Sequence, residues 1–191
     1  MIVYFEGIDG VGKSTQIELL KAKFPDCIAT KEPGGTELGK KLRKILLDGN
    51  LSPKAEMLLF LADRAQHYAK IIEPNKDKLI LSDRGFVSGL AYAAASYECD
   101  ISELAQFNRF ALNDDFSGKF IFFKANEELL KQRLLKRATS DSIEKRGEQY
   151  LMRVQKYMEI IFKDLELNFL EINADDEINA INEKILNFIK G

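Results

Sequence analysis

Gly7-Ile8-Asp9-Gly10-Val11-Gly12-Lys13-Ser14 satisfies the spacing G-x-x-x-x-G-K-[ST] without a gap. Its chemistry is phosphate binding. Glycines let the backbone turn tightly and aim successive N–H groups into one concavity, and a helix opening near Lys13 adds the positive end of its dipole. Gly7, Gly10, Val11, Gly12, Lys13, Ser14 and Thr15 would then hold the phosphates of a nucleoside triphosphate. Lys13 would reach the outer phosphates, and the Ser14 hydroxyl would be a ligand for Mg²⁺. A second constellation is Leu79-Ile80-Leu81-Ser82-Asp83-Arg84, an apolar run ending in an acid and a base. A phosphate-binding enzyme places its second magnesium-linked carboxylate and a phosphate-binding arginine at such a position. The plain alternative is a salt bridge at a strand end.

These residues need a scaffold. Strand-like apolar runs at 2–8, 27–30, 78–82, 120–124 and 168–172 alternate with helical-period segments at 13–24, 36–47, 53–73, 86–97, 101–112, 127–137, 143–165 and 176–189. Runs such as Phe120-Ile121-Phe122-Phe123 imply strands buried on both faces, hence a parallel sheet covered by helices on each side. The fold expected is α/β, a three-layer P-loop NTPase fold with a mostly five-stranded parallel sheet and a short lid. Ligands in such folds sit at the carboxyl ends of the strands. One domain over 1–191 is expected, with a lid at about 136–147, inside the longest polar interval.

Lys and Arg total 28 against 30 Asp and Glu, so no basic footprint for nucleic acid exists, and a small-molecule partner is expected. Two cysteines, Cys27 and Cys99, make neither a disulfide framework nor a zinc site and suit a reducing cytoplasm. No basic segment followed by a long apolar run opens the sequence, so secretion is not expected, and no apolar run approaches the roughly 20 residues of a membrane span.

Other residues fall where the fold brings them to the cleft. Lys31-Glu32-Pro33-Gly34-Gly35-Thr36 ends the second strand, with Thr36 placed to cap the next helix. Arg43 lies two turns into that helix and either points back to the cleft or faces water. Phe60 and Arg64 share a helix face at i and i+4, where an aromatic plane beside a fork of donors suits a planar, carbonyl-bearing base. Core packing is the other reading of Phe60. His67, the only histidine, lacks companions for a metal site, so surface or packing is expected. Tyr92, among small residues, would wall a pocket. Arg133 and Arg137 are again i and i+4, next to the polar interval, with Arg146 and Arg153 beyond. Arginines on a closing loop would neutralise a transferring phosphoryl group and exclude water. A solvated helix face would also carry them.

Taken together, these motifs resemble the bacterial type of thymidylate kinase family, within the P-loop nucleoside monophosphate kinase superfamily. The likeness rests on Phe5 to Gln16, Lys31-Glu32-Pro33-Gly34-Gly35-Thr36, Phe60 with Asp63-Arg64, and Ser82-Asp83-Arg84 followed by Ser88 and Ala91-Tyr92. Asp141-Ser142-Ile143-Glu144 and Arg153-Val154 with Tyr157 add a weaker match. The resemblance implies transfer of the γ-phosphoryl group of ATP to dTMP, giving dTDP and ADP for dTTP synthesis, with Mg²⁺ and as a homodimer. It implies that Asp9 holds the 3′-hydroxyl of dTMP, Phe60 stacks on thymine and Arg64 bonds its carbonyl edge. Glu32 would belong to the same substrate site. Arg43 and Arg84 would hold the acceptor phosphate, Tyr92 would crowd the 2′ position, and Ser14 and Asp83 would fix magnesium directly or through water. Lys13 with Arg84 and the lid arginines, Arg137 first and Arg133 second, would stabilise the moving phosphoryl group. The family's usual Arg before Glu-Pro-Gly-Gly is Lys31 here, Gly85 stands where Tyr or His is common, and the lid is short.

The competing classes are another monophosphate kinase, a binding module without turnover, and a nucleotide-dependent switch. The switch would need Asn-Lys-x-Asp after Asp-x-x-Gly. Asn75-Lys76-Asp77-Lys78 fails at its last position and precedes Asp115-Phe116-Ser117-Gly118.

Overall fold

A computed structural model of the chain describes residues 1–96, 100–135 and 146–191. The strands β1 (Ile2–Glu6), β2 (Ile28–Lys31), β3 (Ile80–Asp83), β4 (Lys119–Lys124) and β5 (Phe169–Asn173) form one parallel sheet in the order β2-β3-β1-β4-β5. Every residue of β1 is buried, whereas the edge strands β2 and β5 are part exposed. A central strand covered on both faces reads as a continuous apolar run for that reason.

The described helices are α1 (Lys13–Lys23), α2 (Glu37–Asp48), α3 (Pro53–His67), α4 (Phe86–Ser96), α5 (Ile101–Ala111), α6 (Glu127–Leu135), α7 (Glu148–Asp164) and α8 (Ile178–Lys190). α1 packs on α8, α4 on α7, and α3 joins α2, α4 and α5. Local chemistry sets the helix starts. The Thr36 hydroxyl accepts from Gly39 N–H at 2.9 Å, Ser52 caps α3 just before Pro53, and Asp100 caps α5. No side chain caps α1; its N-cap is Gly12 at φ 101°. The first amides of α1 therefore face the cradle.

The core is aromatic. Phe120 and Phe122 from one face of the sheet meet Phe86 of α4 and Phe162 of α7, while Phe5 and Phe123 pair on the other face with centroids 6.3 Å apart, all fully buried. Tyr4 stacks on Phe120 at 5.0 Å and Phe162 on Phe169 at 4.6 Å between centroids. Each ring contributes about 2–3 kcal/mol of burial.

Two boundaries differ from the sequence expectation. The helix expected over 53–73 ends at His67, and the chain goes on as a π-type turn (Tyr68–Ile72) and a short 3₁₀ turn (Glu73–Asn75) containing Pro74. The helix expected from 143 starts at Glu148, after Gly147 at φ 88°. Most of the lid interval, with Arg137 and Asp141-Ser142-Ile143-Glu144, lies outside the described residues.

Candidate active site

β1 runs into the cradle through Gly7 at φ 139°, where a Cβ would stand 2.7 Å from Phe123 O; only glycine fits. Lys13 Nζ is buried and donates to Gly7 O at 3.1 Å and Ile8 O at 2.8 Å. Burial, and then the charge of Arg84, lowers the Lys13 amine to about 8. The cradle opens on a cleft of about 960 Å³, whose wall includes Gly10, Gly12, Lys13, Ser14, Thr15 and Asp83. Across it, at the end of β2, Lys31 is exposed.

Arg84, at the end of β3, has φ 72°, a left-handed conformation that costs a non-glycine residue roughly 1 kcal/mol or more. It is fixed there because its N–H donates to Phe5 O at 2.9 Å and its carbonyl accepts from the Ser82 hydroxyl at 2.8 Å. The side chain then lies beneath the cradle. Nη1 donates to Gly7 O (2.7 Å) and Ser88 Oγ (3.0 Å); Nη2 donates to Asp9 Oδ1 (2.9 Å) and, at 3.5 Å, to Tyr92 OH. Tyr92 in turn donates to Asp9 Oδ2 at 3.2 Å. Burial alone would raise the Asp9 carboxyl, but the charges of Arg84 and Lys13 outweigh it and hold Asp9 well below the usual carboxylate range.

A second, narrower cavity of about 60 Å³ adjoins the cleft. Phe60, Arg64, Tyr92, Gly89 and Leu47 line it, and Asp9, Glu32, Arg43 and Arg84 belong to the walls of both spaces. Phe60 is half-buried, so it faces this cavity as well as packing. At about 60 Å³ the space is far below the roughly 300 Å³ of an occupied ligand pocket. Arg64 is buried at the cavity floor, donating through Nε to Glu32 Oε2 (2.9 Å), Nη1 to Asn108 Oδ1 (2.6 Å) and Nη2 to Gly85 O (3.2 Å). One N–H on each terminal nitrogen is left over. Glu32 also meets His67 Nδ1 at 2.8 Å, and His67 Nε2 meets Thr30 Oγ1 at 2.7 Å. His67 is therefore a buried strut, not a surface residue. Burial would raise Glu32, but Arg64 and His67 lower it. Arg43 donates to Pro33 O at 3.1 Å.

The Ser14 hydroxyl donates to Asp83 Oδ2 at 2.9 Å. A hydroxyl and a carboxylate at the mouth of the cradle are hard oxygen donors that suit Mg²⁺, which keeps waters and takes phosphate oxygens for its other positions. Among the described residues no group of three or more His, Cys, Asp or Glu is placed to hold a metal ion. Arg133, on α6, lies over the cradle, with Nη1 donating to Gly10 O and Nη2 to Ala174 O, each at 2.7 Å. Arg137 is outside the described residues. Arg146 lies away from the cleft: it bonds Ser96, Tyr150 and Glu56 and ties α7 to α3 and α4. Arg153 stacks over Tyr150, 5.6 Å from its centroid. The near-miss switch motif at 75–78 precedes β3, at the end of the sheet opposite the cradle, where the Met1 amine donates to Lys76 O and Lys78 O.

The family model for thymidylate kinase matches residues 5–185. The chain belongs to the thymidylate kinase family. It is 54% identical to a thymidylate kinase of Campylobacter curvus, covering 100% of both chains. It is 50% identical to one from a Sulfurovum species, again over 100% of each. Its fold is similar to the crystal structure of thymidylate kinase from Ehrlichia chaffeensis, with a TM-score of 0.78 and 26% identity, covering 100% of this chain and 98% of that one.

Where this chain departs from the thymidylate kinase pattern at Gly85, the packing supplies the reason. A Cβ there would sit 2.5 Å from Tyr4 Cδ1, so the Tyr4 ring fills the space beside β1 that a side chain at 85 would need. Four residues of the site received no role from the sequence, although Glu6, Asp63 and Ser88 lie within the motifs that carry the likeness. Glu6, Ser88, Asp63 and Asn108 are all buried around Arg84, Glu32 and Arg64. Glu6 carried a signal, being a lone carboxylate inside an apolar strand, and Ser88 carried a weaker one, four residues beyond Arg84.

Burial pushes Glu6 up to about 7; burial, with the charge of Glu32, pushes Asp63 up to about 6. Both sit above their unfolded values, so each contributes stability that is full below about pH 4 and lost as pH rises through 6 to 7. Asp9 and Glu32, held low, titrate at more acid pH and do not offset this. Urea unfolding is expected to show a chain more stable at pH 5 than at pH 8, with about 2–3 kcal/mol coming from Glu6. Glu6→Gln should remove that share. An unchanged difference between the two pH values in the variant would contradict it.

Proposed function

We propose that the chain transfers the γ-phosphoryl group of ATP to dTMP, giving ADP and dTDP. The observation that carries this reading is the shared wall: the wide phosphate cleft and the narrow cavity meet at Asp9, Glu32, Arg43 and Arg84. Two nucleotides bound on either side of that wall would bring their phosphates together. ATP takes the cleft, its phosphates on the N–H groups from Gly7 to Thr15, with Lys13 leaving its carbonyls for the outer phosphates. dTMP takes the cavity, with thymine between Phe60 and the two spare N–H groups of Arg64. Asp9 receives the 3′-hydroxyl and Tyr92 crowds the 2′ position. Glu32 acts by holding Arg64, and Arg43 with Arg84 holds the acceptor phosphate. For Arg84, the 3.5 Å contact to Tyr92 is the weakest of its bonds and the first to be given up.

The attacking oxygen of dTMP is already largely ionised at pH 7, so no general base is needed. Catalysis is alignment plus neutralisation of charge by Lys13, Arg84 and Arg133, with Arg137 assigned the same task from the lid. Ser14 and Asp83 would hold Mg²⁺, which supplies charge neutralisation on the phosphates when bound.

Comparing dTMP, dUMP, CMP and AMP as acceptors, with the ribose form of TMP alongside, tests the assignment. dTMP is expected to give the highest kcat/KM. A ribonucleotide preferred over dTMP would remove Tyr92 from its role and point to a different monophosphate kinase.

A homodimer and a cytoplasmic location belong to the same reading. Phe110 and Phe107 of α5 and Leu58 of α3 are exposed on packed helices, Phe110 at 88%, and exposed apolar side chains of this size suit a twofold interface. Cys27 is a free thiol, as suits a reducing compartment. No described helix is long and apolar enough to cross a membrane. Light scattering should give twice the chain mass. Phe110→Glu is expected to weaken the dimer by at least about 1,000-fold, since two buried rings are lost per dimer. A monomeric wild type, or an unaffected variant, would contradict this.

A further inference from the structure

Glu6 is the last residue of β1, fully buried and one position before the cradle. Nothing in the phosphoryl transfer described above uses it. Its Oε2 accepts from Ser88 N–H at 3.1 Å and from the Ser88 hydroxyl, while Oε1 has no hydrogen-bond partner among the described residues. A carboxylate only accepts, so the Ser88 hydroxyl must donate to it and is left as an acceptor on its other side. Arg84 Nη1, a donor only, lies there at 3.0 Å. The direction of the chain from Arg84 through Ser88 to Glu6 is thereby fixed. Burial pushes the Glu6 carboxyl up to about 7. A proton taken up on the unpartnered Oε1 leaves Oε2 an acceptor, so the direction holds in both charge states.

The other side-chain partners of Arg84 are Asp9 and Tyr92, both on the wall that dTMP would occupy. Ser88 lines the same cavity but is only 4% exposed, and its hydroxyl is already committed to Glu6, so it is the side-chain partner that dTMP has no need to displace. We propose that Glu6 is a positioning residue: by locking the Ser88 hydroxyl as an acceptor, it anchors Arg84 while the acceptor phosphate takes over the bonds to Asp9 and Tyr92. The proposal rests on the reading that Arg84 holds that phosphate.

Calorimetric binding of dTMP and of thymidine, which lacks the phosphate, separates the cases. Ser88→Ala and Glu6→Met are each expected to weaken dTMP about tenfold, the worth of one hydrogen bond to a charged group. Thymidine affinity should stay within about twofold. Glu6→Gln keeps a carbonyl acceptor for Ser88 and should restore dTMP affinity to within about twofold of wild type. Ser88→Ala should have no further effect in an Arg84→Ala background. ATP binding reports folding of each variant, and Ser88→Ala carries the test if Glu6→Met does not fold. The proposal is overturned if Arg84→Ala weakens dTMP while Ser88→Ala does not, or if Ser88→Ala weakens dTMP and thymidine equally. If Arg84→Ala leaves dTMP affinity intact, the phosphate role of Arg84 itself falls, and the proposal with it.

Discussion

Arg64→Ala is expected to abolish measurable dTMP binding and to lower the unfolding free energy by about 3–5 kcal/mol. Two separate losses combine. The cavity loses the spare N–H groups assigned to the thymine carbonyl edge, and Glu32, only 4% exposed, loses the guanidinium that faces it at 2.9 Å. Asn108 and Gly85 O lose donors as well. A buried carboxylate stripped of its partner is more costly than the pair is beneficial, so most of the penalty belongs to Glu32. Adding Glu32→Gln to Arg64→Ala should therefore recover much of the stability and none of the dTMP affinity. ATP binding should persist in both variants, because the cradle contributes no atom to this network. Urea unfolding with calorimetric titration of each nucleotide measures all of this. Unchanged dTMP affinity would remove Arg64 from the site.

Lys13→Met should reduce kcat by at least about 10³ while leaving the KM for dTMP within about threefold. Lys13 is 5% exposed and folded back on Gly7 O and Ile8 O, so it is already positioned at the cradle and need only exchange acceptors when phosphate arrives. Its charge is desolvated, which makes it more effective against a polyanion than an exposed lysine would be. Methionine keeps the stem and removes the charge, so the fold should stand: a buried amine lowered to about 8 is no asset to stability. A kcat within tenfold of wild type would mean that the cradle holds ATP without Lys13 assisting the transfer.

The contrast between these residues shows where the sequence was legible. Lys13, Ser14 and the glycines lie within eight residues of one another, so their spacing alone prescribes a cradle. Phe60 with Arg64 was readable because i and i+4 share a helix face. The sheet could be read from its continuous apolar runs, and β1 and β4 are indeed its buried middle. The π-type turn after His67 was hidden because Tyr68 and Ile72 keep burying on schedule, so the apolar pattern does not mark the widened turn. The supports of the site were less visible still. Asn108 reaches Arg64 from α5, 44 residues away, and Arg133 reaches Gly10 across 123 residues. Such contacts are products of topology, with no local spacing to announce them. Arg133, read from its helical spacing with Arg137, has its described bonds to the cradle and to Ala174.

Phosphoryl transfer to dTMP is tested most directly by ADP release from ATP and Mg²⁺ on the purified protein, with and without dTMP, and with the phosphorylated product identified by mass. ADP should form only when dTMP is present, in one-to-one stoichiometry with dTDP. ATP turnover that ignores dTMP, or nucleotide binding with no dTDP formed, would contradict it.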